Sequence, residues 1–243
     1  MQLSKRMESV ASMVSVKGRL ADVGCDHGYL PIWLYQEGRI SGAIAMDINP
    51  GPLKRARANI AQYGLERYIQ TRLSDGMKEL APGEADMAIV AGMGGKLIVR
   101  ILQDSPLIVN SLQELILEPQ SETAAVRKYL EERNLRIVQE DMVLEDGKFY
   151  PVIKAIPDTL SGNMQNRGIL PAGPMTAEQL KYGPCLLKNR HPVLYEYLQK
   201  TENSSLLLAE NLRKSQSPRA EERLKEIQEE IQHIRAAYGY YEV

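Results

Sequence analysis

Three aspartates, Asp22, Asp47 and Asp75, each close a short, largely apolar run, and a fourth, Asp26, lies between Gly24 and Gly28 in the stretch LADVGCDHGYLP. The two glycines allow tight turning and close approach of a ligand, with Asp22 and Asp26 beside the start of the next helix. A pyrophosphate cradle needs G-x-G-x-x-G, so that bare amides meet the phosphates. Here the middle glycine is replaced by Asp26, whose charge repels an anion. Asp-x-Gly-x-x-x-Gly, followed by an acidic residue after the next strand, suits S-adenosylmethionine, which carries a sulfonium, an ammonium and a ribose diol. In that reading Asp22 holds the ammonium, Asp47 accepts both ribose hydroxyls and Asp75 accepts from the adenine amino group, with Gly76 easing the turn. Cys25, Ile48 and the run Ala91-Gly92-Met93 complete the expected cofactor-binding set. A Gly-rich first turn also occurs in any parallel α/β domain, and a lone aspartate more often forms a turn or a cap. Three at the ends of consecutive strands are harder to assign to turns.

The elements that must position these groups follow from hydrophobic spacing. Leu3, Met7, Val10, Ala11 and Val14 predict an amphipathic first helix. Strands are expected at 19–24, 43–46, 68–73, 85–91 and 112–117, with helices at 29–37, 53–63, 96–103 and 121–134. A hairpin of 135–144 with 148–156 turns at Glu145-Asp146-Gly147. Strands alternating with helices and closing in a hairpin imply a doubly wound, mostly parallel α/β sheet with an antiparallel end, the class I (Rossmann-like) arrangement, whose ligands lie beyond the carboxyl ends of the strands. Residues 158–174 are rich in Gly, Asn, Ser and Pro and read as a linker. The expected division is 1–160 for the sheet domain and 161–243 for a helical, coiled-coil-like domain. In the latter, Thr176 and Gln179 form a capping box for a short helix that Gly183-Pro184 stops. Leu194, Leu198, Thr201, Ser205, Leu208 and Leu212 then repeat at 4,3,4,3,4, as do Ala220, Leu224, Ile227, Ile231, Ile234 and Tyr238, predicting an antiparallel helical hairpin.

The 243 residues, with 44% hydrophobic and 25% charged residues, are ordinary for a globular protein. No apolar run is long enough to span a bilayer, and the polar amino terminus MQLSKRMESV carries no export signal. Two cysteines without zinc spacing make a disulfide framework or a Cys-based metal site unexpected, in keeping with a cytoplasmic protein. The net charge of −1 is uneven: Met1 to Arg72 holds 10 Lys and Arg against 6 Asp and Glu. A polyanion would dock at that basic end, with Lys5, Arg6, Lys54, Arg55 and Arg57 as the expected RNA-binding residues. The same charges also fit a solvated helix face. The tail from Met175 carries 10 of each sign, and packing alone accounts for it, an RNA-positioning arm being the other reading.

The motifs LSKRMESVA, DVGCDHGYLP, AGMGG, LILEP, GKFYPV and YGPCLL span the whole chain, which resembles the bacterial tRNA (adenine-N1) methyltransferases acting on adenosine 22, the TrmK family. DHGYLP with GMGG is the specific part. The chain departs from the family at Glu118, where Gln is usual, and at Gln120, where Asn is usual. The resemblance implies a tRNA substrate, S-adenosyl-L-methionine as methyl donor, and no metal. It leaves the oligomeric state open, with a monomer plausible. Neutral adenine N1 has a free lone pair, so its methylation needs in-line positioning more than activation. The product is cationic, and Asp26 is the expected stabiliser of that charge, with His27 and Tyr29 placed to hydrogen-bond or stack on the base. A loop aspartate that tolerates positive φ or caps the helix is the other reading of Asp26. The Asn/Asp-Pro-Pro-aromatic motif of many amino-group methyltransferases is replaced by Ala91-Gly92-Met93-Gly94, small residues that leave room for a base. A class I methyltransferase of another RNA, a protein or a small molecule would share the aspartates. A noncatalytic RNA-binding or interaction protein would use the sheet as a scaffold.

Overall fold

The structure, a computed structural model, describes residues 2–157, 174–215 and 217–242. The chain divides into two compact units, Met1–Pro171 and Ala172–Val243. The expected boundary at 160/161 lies outside the described residues.

The first unit opens with α1 (Lys5–Ser12), capped by the Ser4 hydroxyl accepting from the Met7 N–H. Its apolar face, Val10 and Ala11 with Val14 beyond it, is buried. β1 (Arg19–Val23), β2 (Gly42–Asp47), β3 (Ile69–Leu73), β4 (Met87–Gly94), β5 (Glu114–Ser121), β6 (Leu135–Glu145) and β7 (Lys148–Pro157) form one sheet in the order β3-β2-β1-β4-β5-β7-β6. The five strands from β3 to β5 are parallel, and β7 pairs antiparallel with both β5 and β6. Central strands covered on both faces read as continuous apolar runs, which is why Ala43–Met46 and Met87–Val90 are wholly buried. The chain order reverses between β1 and β4, the switch point at which open α/β sheets bind ligands. α2 (Tyr29–Gln36) and α3 (Pro50–Gln62) follow β1 and β2, α4 (Gly95–Gln103) follows β4, and α6 (Thr123–Glu132) follows β5. Leu20, Ile32, Leu34, Ile89, Ile116 and Val152 belong to the principal core cluster. Asp146 and Gly147, at φ 49° and 74°, supply the two positive-φ positions of a tight β6–β7 turn.

Beyond shifts of a few residues at helix ends, such as α3 starting at Pro50 rather than Leu53, three features differ from expectation. β4 does not stop at Ala91: it continues irregularly to Gly94 against β5, with register shifts at Met93. β5 correspondingly runs on to Ser121, because Pro119 and Ser121 pair with Met93 and Gly94 of that extension. Finally, a short helix, α5 (Pro106–Ser111), precedes β5 where no element was expected.

In the second unit α7 (Ala177–Tyr182) carries the expected Thr176–Gln179 capping box. Pro184 does not merely stop it but begins α8 (Pro184–Lys188), since a first-turn proline has no amide to lose. α9 (Pro192–Arg213) and α10 (Pro218–Tyr238) pack antiparallel, Tyr195 against Tyr238 and Arg235 onto Glu202. Their seam follows the expected stripe to Ser205 and then shifts: Ala209 is buried and Leu208 is 40% exposed. An α-helix turns every 3.6 residues rather than 3.5, and the spacing 201, 205, 209 absorbs the drift. Among the described residues no helix is long and apolar enough to cross a membrane.

Candidate functional site

The site is built where β1, β2 and β4 end. The N–H groups of Gly24 and Cys25 both donate to the Met46 carbonyl, at 2.8 and 2.9 Å, fastening the first loop to the end of β2. Gly24 has φ 80°, and a Cβ there would lie 2.3 Å from Met93 Cε. Glycine is thus favoured by the backbone conformation, and its bare Cα leaves room for the end of the Met93 side chain. Residues 26–28 form a 3-10 turn in which His27 takes φ 63°, rare for a residue with a Cβ. Asn59 of α3 holds it there by donating from Nδ2 to the His27 carbonyl at 2.8 Å. The His27 and Tyr29 rings then stack, with centroids 5.4 Å apart and planes within 3°.

The carboxylates fall into two groups. Asp22 is buried at the end of β1, and burial first, then the nearby charge of Asp47, pushes its pKa up to about 7. Asp47 is half-buried, and its Oδ1 accepts the Asn49 N–H at 2.8 Å. Among the described residues neither forms an ion pair. Asp75 and Asp26, by contrast, already have cations. Lys78 Nζ lies 2.6 Å from Asp75, with the Arg100 guanidinium at 3.4 Å, and the hydrogen bond from Lys78 holds the Asp75 carboxyl below its ordinary range. Asp26 is 65% exposed and pairs with Arg55 at 2.9 Å, with His27 Nε2 at 3.5 Å.

Opposite the first loop, Ala91, Gly92 and Met93 follow the regular part of β4, with Gly92 at φ 76° and exposed. The Gly92 N–H donates to Glu118 Oε2 at 2.6 Å. Glu118 is fully buried on β5, and burial raises its carboxyl pKa against the opposing pull of Arg6.

Comparison with known proteins gives the family of the chain. Residues 3–153 match the family described as "Methyltransferase domain". The tRNA (adenine(22)-N(1))-methyltransferase of Bacillus subtilis is 29% identical across 97% of this chain and 96% of that one. The Streptococcus pneumoniae protein Sp1610, described as a candidate tRNA (m1A22) methyltransferase and solved with S-adenosyl-L-methionine, is 32% identical, with a TM-score of 0.81 over 97% of this chain and 99% of that one. The chain belongs to the tRNA (adenine(22)-N(1))-methyltransferase family. A third relative, M. capricolum TrmK with S-adenosyl-homocysteine, is 26% identical with a TM-score of 0.81, covering 99% of both chains.

Within this methyltransferase family member, Asp22, Gly24, Cys25, Asp47 and Met93 are brought together around the ends of β1, β2 and β4, and Ile48 stands exposed just past β2. Gly28 packs on Ala56 of α3. Asp75 and Gly76 follow β3, with Gly76 at φ 63° against Ile101 and the Asp75 carboxylate turned to Lys78 and Arg100. The basic residues do not form one free surface. Lys5 and Lys54 are exposed, whereas Arg55 faces Asp26 and Arg57 donates to Thr71. Arg6 turns inward, 3.4 Å from Glu118 and 5.0 Å over the Tyr150 ring. Sequence reasoning singled out Glu118 only as a departure from the family pattern and gave it no role. It also missed Asn59, which looks like any polar residue on a helix surface.

Proposed function

We propose that the protein transfers a methyl group from S-adenosyl-L-methionine to N1 of adenosine 22 in tRNA. The observation that carries this reading is the pair Asp22 and Asp47, carboxylates without a cation of their own among the described residues, at the ends of adjacent strands beside the switch point of a methyltransferase fold. The donor set fits the cofactor. A buried carboxylate whose ionised form is disfavoured gains most from a cationic ligand, so Asp22 would hold the ammonium. Asp47 would accept the ribose hydroxyls, Gly24 and Cys25 would allow close backbone approach, and Ile48 would offer an apolar face to the adenine. When bound, the cofactor supplies an activated methyl group for in-line displacement by adenine N1.

The chain's own part is positioning. The loop Ala91–Met93 and the stacked His27–Tyr29 pair flank the place where a base would enter, and Tyr29 is exposed enough to stack on it. No general base is required, because N1 attacks as a neutral nitrogen and the N6 side loses a proton only afterwards. A tRNA substrate would be met through Lys5 and Lys54 first, with Arg55 and Arg57 adding charge on the exposed face of α3. Such a substrate would place the protein in the cytoplasm. We also propose that the methyltransferase part extends to about residue 160 and that the helical hairpin after it forms a separate domain.

The test is incubation of the purified chain with tRNA and labelled S-adenosyl-L-methionine, followed by mapping of the modified nucleotide. Label at N1 of adenosine 22 is expected. Cofactor binding with transfer to a protein or another RNA would replace the substrate, and failure to bind the cofactor would leave only a scaffold.

A further inference from the structure

Glu118 sits on β5 beside Ala91 of β4, with no exposed surface. Its two oxygens are treated differently. Oε2 accepts from the Gly92 N–H at 2.6 Å and faces the Arg6 guanidinium at 3.4 Å, while Oε1 is buried without a hydrogen-bond partner among the described residues. A buried carboxylate whose hydrogen bonding is incomplete destabilises the fold, and such groups call for a reason other than packing. The bond it makes indicates the reason. Gly92, at φ 76°, is where β4 loses regular pairing and the chain swings so that Met93 Cε comes to Gly24. That N–H bond braces the turn from which the Met93 side chain reaches the first loop. Arg6 supplies the counter-charge that keeps the acceptor in place, and is itself held over Tyr150.

We infer that Glu118, with Arg6, is a positioning residue for methyl transfer: it holds the Gly92 turn in the one pose that presents the target base to the cofactor. This rests on the methyl-transfer reading above. The role lies in the acceptor oxygen at Oε2. An amide oxygen in that place would accept from the same N–H and face the same guanidinium, whereas a side chain without an acceptor would release both.

The experiment is single-turnover transfer at saturating tRNA and cofactor, with cofactor affinity by calorimetry and thermal melting alongside. Glu118→Ala is expected to lower the transfer rate about tenfold to a hundredfold, the scale of a small misplacement of reacting groups. Its cofactor affinity should stay within about twofold, since binding and transfer separate when only positioning is lost. Glu118→Gln should recover most of the rate. Gly92→Ala, strained at positive φ, should lose rate by the same route, so the double variant Glu118→Ala with Gly92→Ala should be no slower than the worse single one. A Glu118→Ala protein with the parental rate, a loss that Gln does not recover, or losses that multiply with Gly92→Ala would each overturn the inference. If Glu118→Ala does not melt cooperatively, Glu118→Met, which fills the space without an acceptor, takes its place with the same expectations. A parent chain that methylates no tRNA would overturn the function itself and this inference with it; a parent that does, with unaffected variants, would overturn this inference alone.

Discussion

β1 and β5 each carry a buried carboxylate close to a positive-φ glycine, yet the two are wired in opposite ways. Asp22 has no cation among the described residues and is pushed up to about 7 by burial and by Asp47. Glu118 has its own cation in Arg6 and its own donor in Gly92. Burying a charge is costly unless it is paired. An acidic group left without a counter-charge is therefore suited to receive a cation from outside, and one supplied from within is a brace. The same division separates Asp47, which has no ion pair among the described residues, from Asp75 and Asp26, which have Lys78, Arg100 and Arg55.

The comparison is most easily broken at Asp47. Asp47→Ala should weaken S-adenosyl-L-methionine by about 1.5–3 kcal/mol, roughly tenfold to a hundredfold, the worth of a hydrogen bond to a charged acceptor. Calorimetry of a folded variant with parental affinity would remove Asp47 from the site. Next comes the titration of Asp22. Below its raised pKa the carboxyl is protonated and neutral, so a cation can bind only by displacing a proton. Affinity should then fall up to about tenfold for each pH unit below about 7 and level off above it. Titrations from about pH 5.5 to 8, in buffers of different ionisation enthalpy, would show the released proton. Asp22→Asn should bind more weakly and show no such slope, and a flat profile for the parent would refute the assignment. Asp75→Ala should matter less, weakening the cofactor by less than about tenfold, because Lys78 and Arg100 already hold that carboxylate and only a neutral-strength bond to adenine is at stake. A larger loss than for Asp47 would invert the ranking.

How much of this was legible follows from where each group lies in its element. Asp22, Asp47 and Asp75 stand at strand ends, and the alternation of apolar strands and helices marks those ends in the sequence itself. Glu118 stands inside the strand LILEP, and its partner Arg6 is 112 residues away in the chain, so no local spacing points to the pair. The extension of β4 through Gly92 was hidden for a related reason: the glycines of AGMGG read as a loop, and only pairing with β5 makes the stretch through Gly94 strand, with Gly95 already opening α4. Pro106–Ser111 is one apolar run too short for its period to separate helix from strand. The tail was readable as two stripes, but a register one residue off at Leu208 is the kind of detail that packing decides. Asp26 shows the limit from the other side. Its place in the loop was plain, and the direction of its carboxylate was not.

That direction yields the smallest expected effect. The Asp26 carboxylate is mostly solvated and lies 2.9 Å from the Arg55 guanidinium, so its charge is screened by water and largely neutralised before any base arrives. Asp26→Asn removes the charge but retains an acceptor and a side chain tolerant of turn geometry. The melting transition should hardly move, since an exposed pair of this kind contributes little. Cofactor affinity should not change. Single-turnover methyl transfer should fall less than about tenfold, below the scale of a preorganised electrostatic contact. The variant also frees Arg55 on the basic face, so tRNA binding should tighten slightly at low salt and the difference should vanish as salt rises. A drop in transfer beyond about a hundredfold in a folded Asp26→Asn protein would mean that tRNA draws Arg55 away and leaves Asp26 facing the nascent cation, which would move it from the paired to the unpaired class.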